Sequence, residues 1–195
     1  MLFRTLFIAS TAFLTLGATD SSRSMRVEDP KCPEGTHSGF ESSIWQFNAP
    51  AAEFINKTGS FFHSEWYIGP VNVTHGKDNI IGSTRTAAVG TSTFTEKLVG
   101  YYRSPTMSVI RFSLDMPNDT LPLDGFKLVA YTEEMRVMSI CGGTATYFSM
   151  TATYCTDKVV DAYDFYSKFR SDAVGPVAKE LNALVFTGTC PVGTS

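Results

Sequence analysis

The chain has 195 residues, 43% of them hydrophobic and 13% aromatic, a length and balance suited to one globular domain around one core. Its 16 basic and 19 acidic residues are scattered and leave a formal net charge of −3, so there is no basic footprint for nucleic acid or an anionic membrane. No P-loop, G-x-G-x-x-G, G-x-S-x-G or H-E-x-x-H motif occurs, and the 4 cysteines and 3 histidines lack zinc-ligand spacing, so neither cofactor nor metal is expected.

Arg4, the apolar run Leu6 to Leu16 and the small pair Gly17-Ala18 predict a signal peptide over residues 1–18. That run is too short for a comfortable span, and no other stretch approaches spanning length. The expectation is a secreted protein without stable membrane insertion. Sequons at Asn56, Asn72 and Asn118 fit that route, Asn118 best of the three because it lies in the loop-like stretch DMPNDTLPLDG. An even number of cysteines in an oxidising compartment predicts two disulfides among Cys32, Cys141, Cys155 and Cys190.

Residues 19–42, rich in Ser, Gly, Pro and charge, read as an extended leader, with order beginning at Ser43 in the strand SIWQF. Asn48-Ala-Pro50 supplies a cap and a first-turn proline for a helix. Phe54, Ile55, Thr58, Phe61 and Phe62 follow at helical spacing, and Gly59 divides them into two short helices. Alternation then predicts strands at 71–75, 83–89, 93–102, 107–114, 126–140 and 144–155, with hairpin turns at VGTS and CGGT. A long amphipathic helix begins after Thr156 or Asp157 as cap and carries Tyr163, Tyr166, Ala173, Val177, Leu181 and Leu184 on one stripe. Gly175-Pro176 predicts a kink or break in it. The order describes an α+β domain: an antiparallel sheet of six to seven strands against one long helix, with room between them for an apolar ligand.

Strand parity names the residues facing that space. They are Arg85, Ala87 and Val89, then Phe94, Glu96 and Leu98, then Ile110 and Phe112, and then Phe126, Leu128 and Ala130, with Tyr163 and Tyr166 added from the helix. Arg85 and Glu96 are the charges among them. They serve either as an ion pair between neighbouring strands or as a polar anchor for a ligand. His63, in FFHSEWY, sits near a possible pocket mouth as a general acid or base, or as a half-exposed packing residue. Tyr131 reads as a core aromatic, and Glu133 and Glu134 point to opposite faces and cannot act together on one bond.

The stretches Gly82-Ser-Thr-Arg85 and Thr95-Glu-Lys-Leu98-Val-Gly-Tyr-Tyr102, with the helix start DKVVDAYDFY, resemble the START-like or Bet v 1-like (SRPBCC, helix-grip) superfamily, and within it the polyketide cyclase/dehydrase-like group. The likeness covers roughly residues 43–186 and leaves 187–195 as a tail. It implies a helix-grip fold and an inward Glu96. It also implies the pairings Cys32–Cys155 and Cys141–Cys190, and a small hydrophobic partner such as a lipid, sterol or polyketide held between sheet and helix. Two other readings stand beside it. One is a cyclase or dehydratase in which Arg85 polarises a carbonyl while Glu96 or His63 moves a proton. The other is a secreted protein that acts through its outer surface.

Overall fold

The computed structural model describes residues 30–115 and 120–191, so the expected signal peptide and Asn118 lie outside the described residues. Eight strands occur among those described: β1 (His37–Phe47), β2 (Val73–His75), β3 (Thr84–Val89), β4 (Ser92–Arg103), β5 (Met107–Leu114), β6 (Leu121–Leu123), β7 (Phe126–Ile140) and β8 (Ala145–Thr156). They form one antiparallel sheet in the order β1-β8-β7-β5-β4-β3-β2, with β6 paired to the start of β7. Helices α1 (Ala51–Thr58) and α2 (Glu65–Ile68) follow β1, and the long helix α3 (Val159–Glu180) follows β8. The fold is an α+β helix grip: the curved sheet buries Phe47, Leu98, Ile110, Val137, Phe148 and Tyr154 against the helices. Bulges at Leu98/Gly100 in β4 and Leu128/Ala130 in β7 each shift the register by one residue, which bends a strand and sharpens its twist.

Order begins earlier than the leader reading allows. Residues 37–42 pair with Thr151–Thr156 of β8, and the Cys32–Cys155 disulfide holds the chain just before them. Their partner is more than a hundred residues away, so local Ser and Gly content carries no trace of it. Gly39 is needed at its position, because a β-carbon there would lie 2.2 Å from the ring of Tyr154. The loop-like segment also contains a strand. Leu121–Leu123 folds back on Phe126–Leu128 through Asp124-Gly125, with Gly125 at φ 84°, the positive angle that Asp-Gly hairpin turns require. Among the strands, β6 pairs only with β7, an edge position that tolerates Pro122.

The expected caps are used elsewhere. Asn48 does not cap α1, whose N-cap is Pro50. Its side-chain oxygen accepts the Leu184 N–H at 2.7 Å and its own N–H donates to the Leu184 carbonyl at 3.0 Å, which fastens the segment after α3 to the end of β1. Lys158 is the N-cap of α3, while Asp157 accepts the Lys127 N–H and Thr156 donates to the Lys127 carbonyl. No break occurs at Gly175-Pro176. Both Asp172, whose carbonyl loses its helical donor there, and Pro176 lie on the exposed face, where water can replace the missing bond. The buried stripe of α3 runs through Ala162, Tyr166, Arg170, Ala173, Val174 and Val177. Tyr163, 48% exposed, is off it, and so is Leu184 at 69%. A second disulfide joins Cys141, in the turn between β7 and β8, to Cys190 beyond α3. Among the described residues no helix is long and apolar enough to cross a membrane.

Candidate functional site

Antiparallel pairing sets Arg85 of β3 directly opposite Glu96 of β4, and both side chains point to the concave face. Arg85 Nε donates to Glu96 Oε2 at 2.7 Å, Nη2 lies 2.7 Å from the same oxygen, and Nη1 donates to the Phe61 carbonyl at 2.7 Å. The guanidinium lies against the rings of Phe61 and Phe112, 4.3 and 4.7 Å from their centroids. Tyr131 Oη donates to the other carboxylate oxygen of Glu96 at 2.7 Å. Arg85 is therefore consumed by a buried pair that satisfies its charge.

A second buried cluster is built around Arg170 of α3, which is fully buried. It bonds to Glu41 of β1, donates to the Met150 carbonyl at 3.0 Å, and reaches Glu133 Oε2 of β7 at 3.1 Å. Tyr67 Oη of α2 donates to the same Glu133 oxygen at 2.6 Å. Burial, and after it the nearby Glu96 charge, pushes the Glu133 carboxyl up to about 8, against the Tyr67 bond and the Arg85 charge. The Arg170 contact also favours the charged form of Glu133. Burial lowers Arg170 itself to about 9 and raises the hydroxyls of Tyr67, Tyr131 and Tyr166, which stay protonated donors.

Between the concave face and α3 lies a cavity of about 30 Å3, space for about two water molecules. Its polar wall is Glu96, Glu133, Tyr67, Tyr131 and Tyr166, and its apolar wall includes Ile68, Phe94, Leu121 and Leu128. Val89, Phe165 and Phe169 complete the lining. Val89 and Phe165 also border an outer groove of about 540 Å3 between the β3–β4 turn and the β6–β7 hairpin. Phe165 stacks on Phe169 at 5.3 Å and meets Phe126 edge-on at 5.7 Å, so an aromatic cluster separates the cavity from the groove.

The structure distributes the sequence candidates unevenly. Val89, Phe94, Glu96, Leu128 and Tyr166 line the cavity, and Phe126 borders the outer groove. Ala87, Leu98, Ile110 and Phe112 are core residues outside its lining. Ala130 is only half-buried, because the bulge after Leu128 turns it off the inner face. Tyr163 is exposed, and so is His63, whose backbone N–H donates to Ser60 Oγ at 2.8 Å. Neither lines the cavity. Asn56 and Asn72 are both exposed. Sequence reasoning passed over Tyr67, Phe165 and Phe169, left Tyr131 as a core aromatic, and missed the inward pull of Glu41, Glu133 and Arg170. A signal was available for Glu133, which Tyr131 and Met135 flank, and for Arg170, which stands at helical spacing from Tyr166, Ala173 and Val174, but not for Glu41 between Gly39 and Ser43.

No protein-family model matches the sequence, and no curated protein matches it. Solved structures do. The protein XoxI from Bacillus cereus aligns with a TM-score of 0.60 at 13% identity, over 74% of this chain and 96% of its own. An uncharacterised protein from Bacillus thuringiensis gives 0.55 at 10% identity, over 74% and 99%. Norcoclaurine synthase from Thalictrum flavum, solved with dopamine and hydroxybenzaldehyde, gives 0.47 at 11% identity, over 91% and 98%. At these identities what the chain shares with the two Bacillus proteins is the topology, a helix-grip fold.

Proposed function

We propose that the protein is a secreted binder of a small, largely apolar molecule that enters between the sheet and α3 past Phe165. The observation that carries this reading is the graded wall of the cavity. Leu121, Phe165 and Phe169 supply apolar surface, tyrosine hydroxyls and two carboxylates supply a polar base, and Phe165 and Val89 border both this space and the outer groove. A ligand that buries roughly 300 Å2 of apolar surface gains about 7 kcal/mol before ordering costs, so the polar base need only orient it. A lipid or sterol exceeds the enclosed space and binds only by displacing Phe165 and Phe169 into the groove. The sequence signal for export and two disulfides, which persist in oxidising compartments, support secretion.

Arg85 as an electrophile has no support here, since Glu96, the Phe61 carbonyl and two aromatic faces occupy it. His63 is exposed and outside the cavity lining. Binding is therefore favoured over a cyclase or dehydratase reaction. Titration of delipidated protein with a fluorescent fatty alcohol is expected to saturate, and Phe165→Ala is expected to speed release by opening the aromatic cluster. Failure of fatty alcohols and shorter neutral apolar probes alike to saturate would overturn the reading.

A further inference from the structure

The buried charges on the concave face do not balance. Glu41, Glu96 and Glu133 stand with Arg85 and Arg170, three carboxylates against two guanidiniums, all of them buried. Arg85 is committed to Glu96, and Arg170 pairs with Glu41 while keeping a looser 3.1 Å contact to Glu133. Glu133 is the carboxylate left over, and it lines the cavity beside Glu96. An uncompensated buried charge is costly, so the site must take up one positive charge, either a proton or a cationic group.

A second observation points to a ligand. The Tyr166 hydroxyl, on the same wall and 2% exposed, makes no well-formed hydrogen bond to the protein, although it lies within interacting reach of Glu133. The space beside the surplus carboxylate and this hydroxyl is about 30 Å3. A compact group that only donates hydrogen bonds fits there. An ammonium has three N–H donors and no acceptor. A carboxylate or phosphate meets two glutamates of its own sign, and a neutral hydroxyl leaves the compensation to the proton on Glu133.

Building on the pocket reading above, we propose that the base of the cavity binds the ammonium group of a small primary amine whose apolar part extends past Phe165 toward the outer groove. Binding at neutral pH exchanges one positive charge for another. The O–H bond of protonated Glu133 breaks, its proton goes to solvent, and the ammonium N–H groups become the partners of the carboxylate. No electrons move. The groups that set this balance are Glu96 of β4, Arg85 of β3, Arg170 and Tyr166 of α3, Tyr67 of α2, Tyr131 of β7 and, through Arg170, Glu41 of β1.

Calorimetric titration of n-hexylamine against n-hexanol at pH 7, in two buffers of different ionisation heat, tests the proposal. The amine is expected to bind at least tenfold more tightly than the alcohol and to release about 0.9 proton per site, the fraction carried by a carboxyl of pKa about 8. The Glu133→Gln variant is expected to lose the tenfold preference. Equal binding of amine and alcohol without proton release overturns the amine proposal and leaves the apolar pocket standing. Binding of neither overturns both. Should the variant fail to fold, the proton count in the unaltered protein decides alone.

Discussion

Replacing Glu133 by glutamine probes the surplus carboxylate through stability, independently of any ligand. In the fold this carboxyl titrates at about 8, against an ordinary value of 4.5. Between those two values the folded protein holds a proton that the unfolded chain has released, so stability falls as pH rises across the window. At about 1.4 kcal/mol per pH unit the ceiling of that loss is about 5 kcal/mol. The Arg170 contact opposes it and brings the expected loss to about 2–4 kcal/mol. Glutamine keeps an oxygen for Tyr67 and Arg170 but cannot ionise. Urea unfolding of both proteins from pH 5 to pH 9 is expected to place them within about 1 kcal/mol of each other at pH 5. By pH 8.5 the variant is expected to be the more stable by a few kcal/mol, about the loss calculated for the native protein. A stability difference that stays constant across the range would refute the reasoning, because it would mean that Arg170 keeps Glu133 ionised throughout.

Arg85→Leu leaves Glu96 buried without its cation and is expected to cost about 3–5 kcal/mol in urea unfolding, while adding Glu96→Leu recovers much of that loss; strictly additive losses would show that the pair is not coupled. Gly39→Ala sets a β-carbon 2.2 Å from the Tyr154 ring and is expected to cost about 1–3 kcal/mol, relieved in part by Tyr154→Leu; an unchanged melting temperature would contradict the close approach. Serine at both Cys141 and Cys190 opens a link across 49 residues and is expected to cost about 4 kcal/mol by chain entropy, against about 5 for the 123-residue link Cys32–Cys155. An unchanged urea midpoint in both double variants would show that neither bridge restrains the unfolded chain.

Periodicity located most of the sheet because its strands carry their own signal. The predicted 107–114 and 126–140 coincide with β5 and β7. The early part of β1 and all of β6 escaped because their order comes from partners, β8 and β7, rather than from their own composition. Helix caps failed for a related reason. Asn48, Thr156 and Asp157 have the right chemistry to cap, but tertiary partners at Leu184 and Lys127 compete for the same oxygens. Parity placed Arg85 and Glu96 on the concave face, but no local pattern reveals that Arg170, at a helical position far along the chain, completes a second charge cluster with Glu41 and Glu133.

The β7 bulge explains why the polar base of the cavity was the least legible part, and also why it exists. Before the bulge, even-numbered residues face inward, and Phe126 and Leu128 supply apolar surface near the groove. One residue is then left out of the ladder, since Leu128 pairs with Thr156 and Ala130 with Cys155. From that point odd-numbered residues face inward, so Tyr131 and Glu133 enter the interior in place of Ala130 and Thr132. A regular strand would have turned Glu133 away from the concave face with Lys127. By absorbing one extra residue, the bulge places the hydrogen-bonding Tyr131 and Glu133 on the same face as the apolar Phe126 and Leu128 within about two turns of the pleat. An amphipathic ligand needs that gradient, and deleting Val129 is expected to straighten β7 while leaving Tyr131 and Glu133 inward, because Leu128 and Ala130 then follow Thr156 and Cys155 in a regular ladder.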